Sequence, residues 1–309
     1  MINMVYPSDY ENKTGFDRIR AQVRGKCTTD GGRALLDGEG FSASAGEIAH
    51  RLSLCSELQE ILMLESGFPL QEYTDIGPVA RKIEVACTFL DIEDMIALRA
   101  GLGAVNEITV FLAAKEEGRY PVLRGLAQGV ESFPEITGHI DTILDRYGKI
   151  KDSASPELYT IRRTIRDREG QVSKRLQAIL SKAQKDGYAD ADAAVSIRDG
   201  RAVIPVSAAN KRKINGFIHD ESATGKTFYI EPVEIVEINN ELKELEYAER
   251  REVVRILTAF TDRIRPDAPG IARAGEYLAC MDMIRAKARW AAENECVKPV
   301  LSEEGTLWL

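Results

Sequence analysis

Residues 155–185 read SPELYTIRRTIRDREGQVSKRLQAILSKAQK, and residues 233–264 read VEIVEINNELKELEYAERREVVRILTAFTDRI. In the first stretch Leu158, Ile161, Ile165, Val172, Leu176, Ile179 and Ala183 recur at near-heptad spacing, with a slip after Val172. No proline follows Pro156 and Gly170 is the only glycine, so one helix about 40 Å long is predicted at 1.5 Å per residue. So narrow an apolar seam calls for one partner helix. The second stretch supplies it through Ile238, Leu242, Leu245, Val253, Ile256, Phe260 and Ile264, and Pro266 and Pro269 stop it. Glu241, Glu244, Glu246, Glu249 and Glu252 make this helix acidic where the first is basic. The pair reads as an antiparallel coiled-coil arm, ascending over 151–190 and descending over 232–265.

Between the helices the material changes. Val195–Ile197, Ala202–Val206, Ile214–Ile218 and Thr227–Ile230 are short and rich in β-branched residues. Asp199-Gly200 is a hairpin turn signal between the first two, and Thr224-Gly225-Lys226 suits a turn between the last two. Residues 191–231 thus read as a small antiparallel sheet at the tip of the arm. DESATGKT at 220–227 comes close to a phosphate-binding P-loop, but Asp220 stands where that loop needs its first glycine. A strand follows it rather than a helix whose N-terminus could face a phosphate, so a hairpin turn is expected.

The flanks read as helices. Thr14 with Asp17 signals a start before Phe16, Ile19 and Val23. Ser44 suits the cap of a helix from Ile48 to Leu64, Asp91 that of one from Ile92 to Leu112, and Pro134 the first turn of one holding Ile136, Ile140 and Ile143. Residues 1–150 are therefore read as one part of a helical core. A helix within 266–297 (Ile271, Leu278, Met281, Ile284, Trp290) can rejoin it as a second part. The fold class expected is mainly α: a discontinuous core bundle with a long antiparallel arm inserted, carrying a small β-sheet. Residues 298–309 look like the start of a following, truncated domain.

No apolar run approaches the roughly 18 residues of a membrane span, and the start has no signal-peptide pattern, so a cytoplasmic protein is expected. The five cysteines and three histidines are scattered, which fits reduced thiols and gives no metal-ligand spacing. No arrangement of catalytic groups is defensible from spacing, so no catalytic, cofactor or metal residue is assigned.

The net charge of −8 hides a segregation. Residues 146–215 carry 16 Lys/Arg against 8 Asp/Glu, net +8, between flanks of net −10 and −6. Arg198, Arg201, Lys211, Arg212 and Lys213 fall in the β tip, with Lys226 at its last turn; Lys174 and Arg175 lie on the helix leading to it. Long cationic side chains neutralise phosphates and release counterions, so these eight are the candidate nucleic-acid contacts. Lys174 and Arg175 equally suit water or the acidic partner helix. Three successive like charges at 211–213 do nothing for folding. With no interleaved aromatic platform, stacking on single strands is not indicated, and backbone and shape contacts are expected. A different class of reading, a structural adaptor whose coiled coil binds protein, remains open at this point.

The segments 196–206 (SIRDGRAVIPV), 216–232 (GFIHDESATGKTFYIEP) and 236–245 (VEINNELKEL) resemble the second type of bacterial MutS paralogue. GFDRIR at 15–20 also looks like the first helix of that family. The resemblance spans essentially the whole chain. It implies that 1–150 and 266–297 are a MutS-like core, that the long helices are levers, and that the β tip is a clamp. For a full-length parent it implies a homodimeric ATPase using ATP and Mg, in some members with a terminal nuclease domain. Such a parent is implied to suppress recombination on branched DNA or to bind and rescue stalled ribosomes.

Overall fold

The computed structural model describes residues 9–302. The expectation about the first residues falls on 1–8, and most of the stretch read as the start of a following domain falls on 303–309, outside the described residues. The fold is mainly α with one small antiparallel sheet. The chain divides into two compact units, residues 1–149 with 257–309, and residues 150–256, so the first is discontinuous in sequence.

The first unit is helical: α1 (Tyr10–Thr14), α2 (Phe16–Lys26), α3 (Asp30–Asp37), α4 (Ala45–Leu64), α5 (Gly77–Glu84), α6 (Ile92–Ala113), α7 (Pro121–Ala127), α8 (Pro134–Ile143) and α11 (Ala268–Glu293). Ser44 caps α4 by accepting from Glu47 N–H, and Asp91 caps α6 in a reciprocal box with Asp94. The start expected at Thr14 is different. Gly15 turns left-handed at φ 76° and separates α1 from α2, while the Thr14 hydroxyl donates back to the Tyr10 carbonyl. Helix α6 is long and apolar enough to cross a membrane by length and composition, contrary to the reading that no run comes near. It buries Met95, Leu98, Leu102, Val105, Ile108 and Leu112 and packs against α8 and α11 as a core helix. Helix α11 packs against α2, α3, α4, α5 and α6 and so closes the bundle. At its centre Asp282, fully buried, accepts from the backbone N–H and hydroxyl of both Thr28 and Thr29 (2.8–2.9 Å) and from Arg285.

The second unit is built on α9 (Pro156–Lys185) and the part of α10 (Val233–Ile264) up to Ile256. Ser155 caps α9 through Leu158 N–H and donates to Glu252 at 2.6 Å. Arg162 meets Glu249 at 2.7 Å, Arg168 meets Glu241 at 2.9 Å, and Arg175 reaches the Glu234 carbonyl at 3.4 Å. Partner numbers fall as α9 numbers rise, which is an antiparallel pair joined by opposite charges. The sheet has strands β1 (Ser196–Arg198), β2 (Arg201–Ser207), β3 (Gly216–Glu221) and β4 (Thr227–Pro232) in the order β1-β2-β4-β3. Asp199 and Gly200 both take positive φ, as a two-residue hairpin turn requires. Val172, Leu176, Leu180 and Ala183 of α9, Ile204 and Val206 of β2, Ile230 of β4, and Ile235 and Ile238 of α10 form one apolar core. The sheet therefore packs on the end of the helix pair where α9 finishes and α10 begins.

Candidate nucleic-acid interface

The sheet order decides where the cations go. Strands β2 and β3 are both antiparallel to β4, hence parallel to each other, with β4 between them. Their connection, residues 208–215, must cross β4 from one end of the sheet to the other, and it carries Lys211, Arg212 and Lys213. The crossover is pinned along its length. Ala208 N–H donates to the Lys226 carbonyl at 2.9 Å, Asn210 donates to the Gly187 carbonyl at 3.2 Å and to Ser207 at 3.0 Å, and Val233 N–H donates to the Asn215 carbonyl at 3.0 Å. Ile214 tucks against the apolar core, and the Lys211 ammonium lies 4.2 Å from the centre of the Phe228 ring. Arg212 and Lys213 are exposed, as is Lys226, whose carbonyl sits at the start of the crossover. Among the described residues none of these four cations has a carboxylate within salt-bridge distance. The same holds for exposed Lys174 on α9.

The other candidate cations are held. Arg198 pairs with Asp220 at 3.0 Å and lies over the Tyr229 ring at 4.0 Å. Arg201 forks onto both oxygens of Glu231 (2.8 and 3.1 Å) and donates to Asn240 of α10 at 2.8 Å. Arg175 is exposed but spends one N–H on the backbone of α10. The structure thus leaves Lys211, Arg212, Lys213 and Lys226 without a carboxylate partner among the described residues and places Arg201 in the interior bonding of the sheet.

Glu231 is the residue that sequence reasoning passed over. It is 1% exposed and also accepts from His219 at 2.6 Å and Asn239 at 2.7 Å. Burial opposes its ionisation, but the bonds from Asn239, His219 and Arg201 outweigh that cost and hold its carboxyl below the ordinary value. The only available signal was the mixed Glu-Pro after a β-branched run, which reads as a strand end. Strand β3 approaches so closely here that a Cβ on Gly216 would lie 2.2 Å from the Glu231 carbonyl oxygen. The near-P-loop at 220–227 is the β3–β4 hairpin, with Gly225 at φ 65° and its N–H on the Ser222 carbonyl at 2.7 Å. Among the described residues no three His, Cys, Asp or Glu side chains converge as a metal site.

With this geometry in place, the comparisons with known proteins fall on the same family as the sequence. No family profile matches the chain. A protein of Streptococcus pneumoniae called Endonuclease MutS2 is 34% identical over 295 residues, and one of the same name from Streptococcus thermophilus is 31% identical over 294. Each match covers 95% of this chain. The chain is a MutS2 homologue. It spans 37% of the length of those relatives, so the word endonuclease describes proteins much longer than this one. The MutS2 likeness covers both units, the crossover included.

Proposed function

We propose that this chain is the nucleic-acid-binding core, lever and clamp part of a MutS2-like protein. In this reading 1–150 and 266–297 serve as core, 151–190 and 232–265 as levers, 191–231 as clamp, and 298–309 lead into an ATPase domain. Lys211, Arg212, Lys213 and Lys226 contact the phosphate backbone, with Lys174 and Arg175 as outlying contacts and Arg198 and Arg201 shaping the clamp from behind. The observation that carries the reading is a pinned crossover bearing three successive cations that no described carboxylate neutralises. Like charges held together and left open to water are the footprint of an anionic partner. The parent is read as a cytoplasmic homodimeric ATPase that uses ATP and Mg and acts on branched DNA or on stalled ribosomes.

A salt titration tests the reading. The full-length protein and the 309-residue chain are each bound to branched DNA and to ribosomes from low to physiological salt. For B-DNA the slope of log affinity against log salt is expected to shrink by about 0.9 for each phosphate contact removed in a Lys211→Ala, Arg212→Ala, Lys213→Ala variant. Absence of low-salt binding to either ligand, or a slope indifferent to these substitutions, refutes it. In a Lys211→Glu, Arg212→Glu, Lys213→Glu variant nucleic-acid affinity is expected to collapse, whereas an adaptor for protein partners would keep its binding, so that variant separates the two classes.

A further inference from the structure

A cavity of about 460 Å³ is built entirely from residues of the first unit. Its lining comes from α2, the α3–α4 connection, α4, the end of α11 and the segment 296–299 that follows α11. The inner surface is mostly apolar and includes Phe16, Ile19, Phe41, Leu52, Trp290 and Val297. Its volume falls within the roughly 300–1,000 Å³ of small-molecule sites.

Apolar walls open to water gain by closing on one another, because burying that surface is favourable. Polar bonds at the edge hold these walls in place instead. Arg20 of α2 donates to Glu11 at 2.6 Å and to the carbonyls of Leu36 and Glu39 at 2.9 and 3.1 Å, which ties α2 to the α3–α4 connection. Phe41 meets Tyr10 edge to face, with ring centres 5.8 Å apart. The Trp290 indole N–H donates to Gln22 at 2.8 Å and fixes the ring. Beyond α11 the chain turns at Glu295, φ 54°, and Gln59 of α4 donates to the Cys296 carbonyl at 3.0 Å.

The charges around the cavity do not balance. Arg20, Arg51, Lys287 and Lys298 line it against Glu11 and Glu39. Glu11 is spent on Arg20, and Glu39 on Lys287 and, at 3.5 Å, on Arg51, which also holds Glu47. Among the described residues Lys298 has no carboxylate within salt-bridge distance, and its ammonium donates to the Ser53 hydroxyl at 2.8 Å. One positive charge is therefore left over beside an apolar cavity. We propose that this cavity binds a small amphiphilic carboxylate, its acyl chain or aromatic body against Phe16, Leu52 and Trp290 and its carboxylate on Lys298. A single spare cation matches a monoanion better than a phosphate monoester, which carries about −1.5 to −2 at neutral pH. The site goes beyond the nucleic-acid reading and shares no residue with it.

The test uses the 309-residue chain with decanoate and its uncharged counterpart decanol, both below the concentrations at which they aggregate. Trp290 and Trp308 are the two tryptophans, so a Trp308→Phe background leaves Trp290 in the cavity wall as the sole emitter. Anilinonaphthalene sulfonate, an apolar ring system with one negative charge, is expected to quench Trp290 at one dye per chain. Decanoate reverses the quenching with saturation, and decanol does so more weakly. Lys298→Ala weakens decanoate about tenfold, the scale of one charged hydrogen bond, and leaves decanol unchanged. Ser56→Phe puts a ring into the cavity and abolishes the quenching, with the melting temperature kept or raised. Quenching that persists in a folded Ser56→Phe chain, or that decanoate does not reverse, overturns the site. Equal affinity for decanoate and decanol, or decanoate binding indifferent to Lys298→Ala, overturns the carboxylate. Lys298 is exposed, so that variant decides the matter even where Ser56→Phe fails to fold.

Discussion

Helix α9 and the crossover at 208–215 are both basic, yet their cations meet opposite fates. On α9, Arg162 bonds Asp152 and Glu249, Arg166 bonds Asp152, and Arg168 bonds Glu241. In the crossover, Arg212 and Lys213 face water, and Lys211 has only the Phe228 ring. The difference lies in what each backbone runs beside. Helix α9 lies along an acidic helix in antiparallel register, where Arg162 and Arg168 find carboxylates, and Arg166 uses Asp152 in the turn before α9. The crossover passes over a strand whose one acid, Glu231, is already spent on Arg201, His219 and Asn239. Charge that is paired serves the fold, and charge kept apart from acids is available to a ligand.

Removing an acid that holds a cation is expected to have the largest effect on stability. Glu231→Ala leaves Arg201 and His219 facing an emptied, buried site, and a loss of about 3 kcal/mol is expected from chemical denaturation. Glu231→Gln is milder and changes the pH response. Because the folded Glu231 carboxyl lies below its ordinary 4.5, its contribution is complete above that pH and fades as pH falls through the lower folded value. Asp152 acts in the same direction, held below its ordinary 3.8 first by the bond from Arg162 and then by that from Arg166. Acid denaturation of Glu231→Gln should therefore be shallower than that of the unsubstituted chain. An identical acid limb in both would show that this carboxylate does not couple to folding.

A smaller effect is expected where a partly buried arginine bridges two segments. Arg162 bonds Asp152, Glu249 and the Ile150 carbonyl, so Arg162→Ala should cost about 1–2 kcal/mol in the same denaturation experiment. Arg168→Ala removes one pair whose side chains are 37% and 42% exposed. After solvent screening it should cost about 0.5 kcal/mol or less. A reversal of that order would mean that the interhelical pairs, rather than the bridge to residues 150–152, hold the arm together.

Much of this architecture was legible because period and punctuation agreed. The stretch 233–264 is α10 to the residue, and the 155–185 stretch holds α9, since long apolar seams ended by Pro266 and opened by Ser155 leave little choice. Within the seam, Leu180 took the buried place expected of Ile179, a one-residue rotation that the slip after Val172 introduces. The strands were found but their order was not, because alternation says nothing about which strand lies beside which. Without that order the 211–213 run could not be known to cross β4, nor Arg201 to meet Glu231. Helices α3, α5 and α7 were not marked at all. They are short and contain Gly31-Gly32, Gly77-Pro78 or Pro121 and Gly125, and tertiary contacts sustain them. At Gly32, for example, a Cβ would lie 2.6 Å from Asp282.

The smallest stability effect is the sharpest test of the comparison. Lys211→Ala, Arg212→Ala, Lys213→Ala removes three charges that no described carboxylate balances. The pinning bonds of the crossover come from Ala208 N–H, the Asn210 side chain and Val233 N–H, and all survive the change. Only the Lys211 contact with Phe228 is lost, and relief of repulsion among neighbouring cations offsets it. Stability should then stay within about 0.5 kcal/mol of the unsubstituted chain, measured side by side with the collapse of its salt-dependent binding. Residues kept for a ligand are expected to be neutral or slightly costly to the fold. A clear loss of stability in this variant would move the crossover into the same class as the α9 arginines, as a structural feature of the sheet.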